Sequence, residues 1–135
     1  MTTKKILVSG KRKTAIAKLR IIPGTGQVTL NKMIHTELSL FHRLAIEEPL
    51  RIFERELGKI NYDFHIKTMG GGKEGQIQAS RLSIAKALVK VTGSETLRKA
   101  FMKYDRSMIV PDSRRKETRK PGDSKARAKR QKSYR

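Results

Sequence analysis

The final twenty-five residues, Pro111–Arg135, contain no Val, Ile, Leu, Phe or Met. They hold eleven Lys or Arg against three acids, Asp112, Glu117 and Asp123, a net charge of +8. Such a segment has too little apolar surface to offset the roughly 1–2 kcal/mol of backbone entropy lost per ordered residue. It is expected to be disordered alone and to take shape only against dense negative charge. Fully extended it would reach about 80 Å. The core must therefore come from what precedes it, and the spacing of apolar residues places a globular domain at 1–103 and an extended basic tail at 104–135.

Charge divides the 135-residue chain in the same way. The total is +20, yet residues 37–102 hold eleven basic and eight acidic residues, an ordinary folded surface. Residues 1–36 hold eight basic residues and no acid. Both ends thus read as polyanion-binding surface, with nucleic acid the first candidate. With no Cys, disulfide frameworks and thiolate metal sites are excluded. No apolar run approaches the ~20 residues of a membrane span, and the tail has no Leu, Phe or Trp with which to enter a bilayer, so no membrane partner is expected. The simplest reading is a soluble intracellular protein.

Periodicity gives the elements. Ile6-Leu7-Val8 reads as a strand, and Ala15–Ile22 alternates as a second strand. Pro23-Gly24-Thr25-Gly26 is a turn signal, so Ala15–Ile22 and Gln27–Leu30 are expected to form a hairpin. Residues 36–57 switch to helical spacing: Leu38, Phe41 or His42, and Ala45 mark one face. Pro49 is expected to open a second helix with Leu50, Phe53 and Leu57 inward, and with Glu47 and Glu48 at its positive end. Tyr62–Lys67 alternates cleanly as a strand. A long helix follows over about Gly75–Val91, with Ile77, Ile84, Leu88 and Val91 as its apolar stripe and Arg81, Lys86 and Lys90 on its polar face. Ser94 is the expected N-cap of a last helix with Leu97, Ala100, Phe101 and Tyr104 inward. The order β-β-β-α-α-β-α-α predicts an α+β fold: a small mixed sheet with helices packed on one face and a long basic C-terminal extension.

Several clusters carry candidate chemistry. Lys11-Arg12-Lys13 is expected at the turn after the first strand, where three adjacent cations would be relieved by phosphate. Gly70-Gly71-Gly72-Lys73 lacks the spacing and the Ser or Thr of a nucleotide-binding loop. It leaves two readings open: an RNA backbone docked on exposed amides, or a tight strand-to-helix bend. His35, His42 and His65 have no metal-ligand spacing. No nucleophile–base set is present, so neither catalytic residues nor metal nor cofactor nor small-molecule substrate is expected. In the tail, Arg114, Arg115, Lys116, Arg119, Lys120, Lys125, Arg127, Lys129 and Arg130 suit phosphate. Gln131, Lys132, Ser133, Tyr134 and Arg135 end the chain, and Tyr134 offers a ring for stacking. On charge alone, a free nucleic-acid chaperone is an alternative. A small phosphotransfer enzyme is a weaker one.

Taken together, Ser9-Gly10-Lys11-Arg12-Lys13-Thr14-Ala15-Ile16-Ala17, Gly24–Asn31, Gly70-Gly71-Gly72-Lys73-Glu74-Gly75-Gln76-Ile77 through Arg81, and Lys120-Pro121-Gly122 with Ala126–Arg135 resemble a known family. It is ribosomal protein nine of the small subunit, in its archaeal–eukaryotic form, and the likeness covers nearly the whole chain. The resemblance implies a fold like the second domain of ribosomal protein five of the small subunit, with a left-handed β-α-β unit. It also implies a cytoplasmic ribosomal location in the subunit head, among neighbouring head proteins and bound to the 3′ major domain of the rRNA. Lys11, Arg12, Lys13, Gly70, Gly71, Gly72, Arg81 and the tail cations would be the rRNA contacts. The tail would reach the anticodon stem-loop of peptidyl-site tRNA, with Arg135 as the phosphate contact and Gln131, Lys132, Ser133 and Tyr134 nearby. Bacterial members end in Ser-Lys-Arg; here Tyr134 takes the penultimate place, and either Lys132 substitutes or Tyr134 stacks.

Overall fold

A computed structural model of the chain describes residues 6–122, 125–129 and 132–134. Among these, five strands form one sheet: β1 (Ile6–Arg12), β2 (Ala15–Pro23), β3 (Val28–Leu30), β4 (Met33–Ile34) and β5 (Tyr62–Met69), in the order β1-β2-β5-β3-β4. Three α-helices accompany them: α1 (Leu40–Leu57), α2 (Lys73–Thr92) and α3 (Glu95–Tyr104). The α+β class follows from the alternation of the strands. Ala15, Ala17, Leu19 and Ile21 of β2, and Phe64 and Ile66 of β5, are buried on one face, while Lys18, Arg20, His65 and Lys67 are exposed on the other.

The topology departs from the expected hairpin. β2 and β3 are not neighbours, because β5 lies between them, antiparallel to β2 and parallel to β3. The Pro23–Gln27 loop must therefore carry the chain across the end of β5. Asp63, at that end of β5, holds the loop: one carboxylate oxygen accepts from the amides of Thr25, Gly26 and Gln27 at 2.8, 3.0 and 2.9 Å. The amide of Gln27 foremost, against the cost of burial, keeps Asp63 below its ordinary 3.8. A carboxylate depressed in the fold contributes stability above its unfolded pKa and loses it as pH falls through the folded one. Unfolding free energy from urea titrations should therefore be flat between about pH 7 and 5 and fall below about pH 4. Asp63→Asn should lower the plateau and flatten part of that fall.

Pro49 does not begin a second helix; it lies fully buried inside the continuous α1. Its missing N–H leaves the Ala45 carbonyl without its usual partner, a disruption of about 3 kcal/mol. Burial of its ring alongside Ile46, Leu50 and Phe53 offsets that. The inward face is thus Ile46-Pro49-Leu50-Phe53, while Phe41 (82% exposed) and Leu57 (47%) point to solvent. Glu47 and Glu48 are mid-helix rather than at a positive helix end. Glu47 accepts from Arg43 and Arg51, one turn either side, at 2.7 and 2.8 Å.

α2 keeps a polar surface only towards its ends, with Lys90 exposed and Lys86 half-buried. All of Ala79–Ala85 is buried, because β1 and β2 pack on one side and α1 and α3 on the other. Its hydroxyls are satisfied internally: Ser80 donates to the Gln76 carbonyl and Ser83 to that of Ser80, each at 2.7 Å. Small residues let β1 come close, and a Cβ added at Gly10 would overlap the Ala79 carbonyl. Arg81, placed on an exposed face by periodicity, is instead buried. Ser94 caps α3 as expected, accepting from the Leu97 amide at 3.3 Å. Leu97 and Phe101 point inward, but Tyr104 is 59% exposed. Packing continues past position 103: after α3, Arg106–Met108 form a 3-10 turn that buries Met108 completely.

Candidate nucleic-acid interface

β1 extends through Arg12, so only Lys13 and Thr14 form the turn into β2. Strand alternation splays the three adjacent cations: Lys11 and Lys13 are exposed, whereas Arg12 is half-buried and reaches Asp112. Of the three, Arg12 alone has an acidic partner among the described residues, one it shares with Arg114. Lys13 carries a left-handed backbone, φ 52°, at the turn.

The glycine run packs against this same turn. Gly70 and Gly71 both have positive φ, 71° and 63°. A Cβ on Gly70 would lie 2.7 Å from the Thr14 carbonyl oxygen, and one on Gly71 would lie 2.9 Å from the Ala15 Cβ. These two residues form the tight bend, their inner surface filled by the chain's own backbone, while Gly70, Gly71 and Gly72 are all exposed on the outside. Gly72 has open space beside it and is the N-cap of α2. Gln76 and Asn31, which the sequence reading includes only within longer motifs, lock the bend. The Gln76 amide donates to the Gly70 carbonyl at 3.1 Å, and its oxygen accepts from Thr68, which bonds Asn31 through both side chain and amide.

Arg12, Lys13, the first turns of α2 and the start of the tail together wall a cleft of about 370 Å³, to which Gln78, Ser107, Asp112 and Arg114 also contribute. Asp112 organises it. Its carboxylate accepts from the Arg114 guanidinium at 2.7 Å, from the Arg114 amide at 2.9 Å and from Arg12. The Arg114 side chain foremost, with its amide and then Arg12, holds Asp112 well below the usual carboxylate range. In the sequence Asp112 was merely an acid opposing the tail's charge; in the structure it fastens the start of the tail to the edge strand.

Beyond Asp112 the described cations Arg115, Lys116, Arg119, Lys120, Lys125, Lys129 and Lys132 are exposed, as are Ser133 and Tyr134. Arg127 pairs with Glu117 at 3.0 Å, but both are so exposed that the pair contributes little. Arg130, Gln131 and Arg135 lie outside the described residues. Arg81 is not at this surface. Its guanidinium, 9% exposed, bonds Glu48 of α1 at 2.6 Å and Asp105 after α3 at 2.9 Å. For Asp105 burial is the largest influence and would raise its pKa, but the Ser107 amide and hydroxyl and Arg81 outweigh it and lower it.

The histidines have protein partners: His42 bonds Glu74 at 2.6 Å, His65 bonds the Thr29 hydroxyl at 2.8 Å, and His35 lies 3.7 Å from Glu47. No group of three potential metal ligands occurs among the described residues. No helix there is long and apolar enough to cross a membrane.

The family model described as "Ribosomal protein S9/S16" matches residues 10–135. The chain is 38% identical over 129 residues to "Small ribosomal subunit protein uS9" of Methanococcus vannielii, covering 93% of this chain and 95% of that protein. It is 41% identical over 131 residues to the protein of the same name from Halobacterium salinarum, covering 94% and 96%. At that identity over nearly full length, with the glycine bend, the cationic turn and the basic tail all inside the matched region, the chain belongs to the ribosomal protein S9/S16 family and is a structural ribosomal protein rather than an enzyme.

Proposed function

We propose that this chain anchors to the rRNA of the small-subunit head, in its 3′ major domain and among neighbouring head proteins, and extends its tail to peptidyl-site tRNA. The observation that carries the reading is the Arg12–Asp112–Arg114 junction. It joins the cationic turn to the first residues of the basic tail, so that one continuous surface faces the polyanion. Lys11, Lys13, the amides beside Gly72, and Arg114, Arg115, Lys116, Arg119, Lys120, Lys125, Arg127 and Lys129 engage rRNA backbone by charge and shape. Arg130, Gln131, Lys132, Ser133, Tyr134 and Arg135 lie on the approach to the anticodon stem-loop, with the Arg135 charge beside tRNA phosphate. Arg81 serves the fold that presents this surface. In this reading the body ends near Val110, and the β3-α1-β5 crossover takes the left-handed form of the second domain of ribosomal protein five. Sedimentation of a cell lysate tests the address: the chain should travel with small subunits, and co-sedimentation with bulk nucleic acid instead would overturn it.

Two variants probe the parts. Deleting Lys132–Arg135 should weaken tRNA retention on purified subunits and leave subunit assembly nearly intact. Unchanged tRNA binding would remove that role from the tail end. At Lys13 the left-handed backbone costs a side-chain-bearing residue roughly 1–2 kcal/mol, and glycine relieves this while adding about 0.5–1 kcal/mol of unfolded-chain entropy. Lys13→Gly should leave the free protein within about 1 kcal/mol of its original stability or slightly above it, and lower the salt slope of RNA binding by about one. An unchanged slope would mean that the lysine is held in a costly conformation for some other reason.

A further inference from the structure

We propose that the uncovered face of the sheet is a second RNA-backbone platform, carried by Lys18, Arg20 and Lys67. The proposal rests on the family reading and adds to it a surface distinct from the cationic turn and the tail.

The register sets the arrangement. In the antiparallel pairing of β2 with β5, Lys18 stands directly opposite Lys67, and Arg20 opposite His65. All four are exposed; α2 packs on the opposite, apolar face of the sheet, and α1 and α3 pack on α2. Like charges directly opposite one another destabilise a strand pair. Nothing in the fold compensates: among the described residues no carboxylate pairs with Lys18, Arg20 or Lys67. Asp63 is the only acid in the five strands, and its carboxylate is engaged by the Pro23–Gln27 loop. With strands about 4.8 Å apart and same-face residues about 6.7 Å apart along a strand, three cations crowd within roughly 10 Å. A single small anion would meet one or two of them; successive backbone phosphates meet all three.

The rest of the face fits the same occupant. At the β3 side a cleft of about 460 Å³ is lined by Thr29, Asn31, Lys32, His65 and Lys67, which adds Lys32 to the cations of the face. Lys32 sits at φ 71° in the two-residue turn between β3 and β4, so its side chain is carried on a constrained backbone. Flanking the cations, Leu7 (68% exposed) and Met69 (44%) offer apolar contact to sugars and base edges. A hydrogen-bonded sheet loses little backbone entropy on binding, which favours a backbone-reading platform over an adaptable loop.

The test uses the full chain, deproteinised small-subunit rRNA and isolated subunits. A Lys18→Ala/Arg20→Ala/Lys67→Ala variant should bind the rRNA at least about tenfold more weakly at 0.1 M salt, with the slope of log K against log salt reduced by about two to three. Its melting temperature should hold or rise, because the Lys18–Lys67 repulsion is gone. In subunits, a lysine-directed photo-crosslinker should place RNA adducts on the peptides bearing Lys18 and Lys67. If the triple variant binds like the parent while Lys11→Ala/Lys13→Ala weakens binding, the sheet face is idle and the proposal falls, with the family reading intact. Protein adducts in place of RNA on Lys18 and Lys67 would overturn it as well and make the face a protein contact. If neither variant alters binding and the chain does not travel with small subunits, the proposed anchoring to head rRNA has itself failed.

Discussion

Removing both carboxylates that hold Arg81, in a Glu48→Ala/Asp105→Ala variant, is expected to destabilise the free protein by about 3–5 kcal/mol, a large share of the total for a domain of this size. The guanidinium is 9% exposed on a helix buried from both sides, so without partners it would be a charge left in a poor solvent. The reverse change should be milder. Glu48 and Asp105 are 37% and 38% exposed, and after Arg81→Met water can solvate them. The ordering therefore predicts a rescue: adding Arg81→Met to the double variant should return much of the lost stability, although it removes yet another native group. Urea unfolding of the four proteins measures this directly. If Arg81→Met alone costs as much as the double variant, or the triple variant is no better than the double, the site acts through packing rather than through charge burial.

That cluster also marks where the sequence ceased to be readable. Periodicity places α2 correctly and finds Ile77, Ile84 and Leu88, but it counts arginine as surface. Only the tertiary arrangement, with α1 and the end of α3 each bringing a carboxylate to the same point, makes burial of Arg81 affordable. The same limit explains Pro49. Read locally, proline starts a helix; here the ring's burial beside Ile46 and Phe53 lets α1 run through it. The alternation of β2 and β5 and the cap at Ser94 are local properties and are legible. Insertion of β5 between β2 and β3 is not, because adjacency in the sheet is decided by packing between distant segments. The turn signal at Pro23–Gly26 is genuine, but the loop crosses a strand end instead of closing a hairpin.

For the candidate site, the basic turn, the glycines and the tail are visible in composition and spacing. What joins them is not. Asp112 looks like a diluting acid in a cationic run, and only the fold brings Arg12, a hundred residues earlier, against it. Lys18, Arg20 and Lys67 look like ordinary outward residues on separate strands, and their confrontation depends on register. One signal could have been used: five strands that carry several cations and a single acid, Asp63, describe a sheet face with no internal neutralisation.

Ending the chain at Gly122 removes Lys125, Arg127, Lys129, Arg130, Lys132 and Arg135, the six cations beyond the last acid. Each cation that neutralises a phosphate contributes about 0.7 to the salt slope on single strands and about 0.9 on duplex. If all six engage, the truncated protein should bind small-subunit rRNA with a slope smaller by roughly four to five. The advantage of the full chain over the truncated one should then shrink about a thousandfold between 50 and 200 mM salt. Titrations at several salt concentrations give both slopes from one experiment. Parallel lines for the two proteins would mean that the tail touches no phosphate and that its charge only keeps the chain soluble. A third protein sharpens the point: residues 123–135 shuffled in order keep every charge and should keep the slope, since counterion release does not depend on sequence. If the tail end meets the anticodon stem-loop as proposed, retention of tRNA follows which residue arrives there, and the shuffled chain should lose it. Affinity that follows charge alone, together with placement that follows order, would separate the part of this tail that binds from the part that aims.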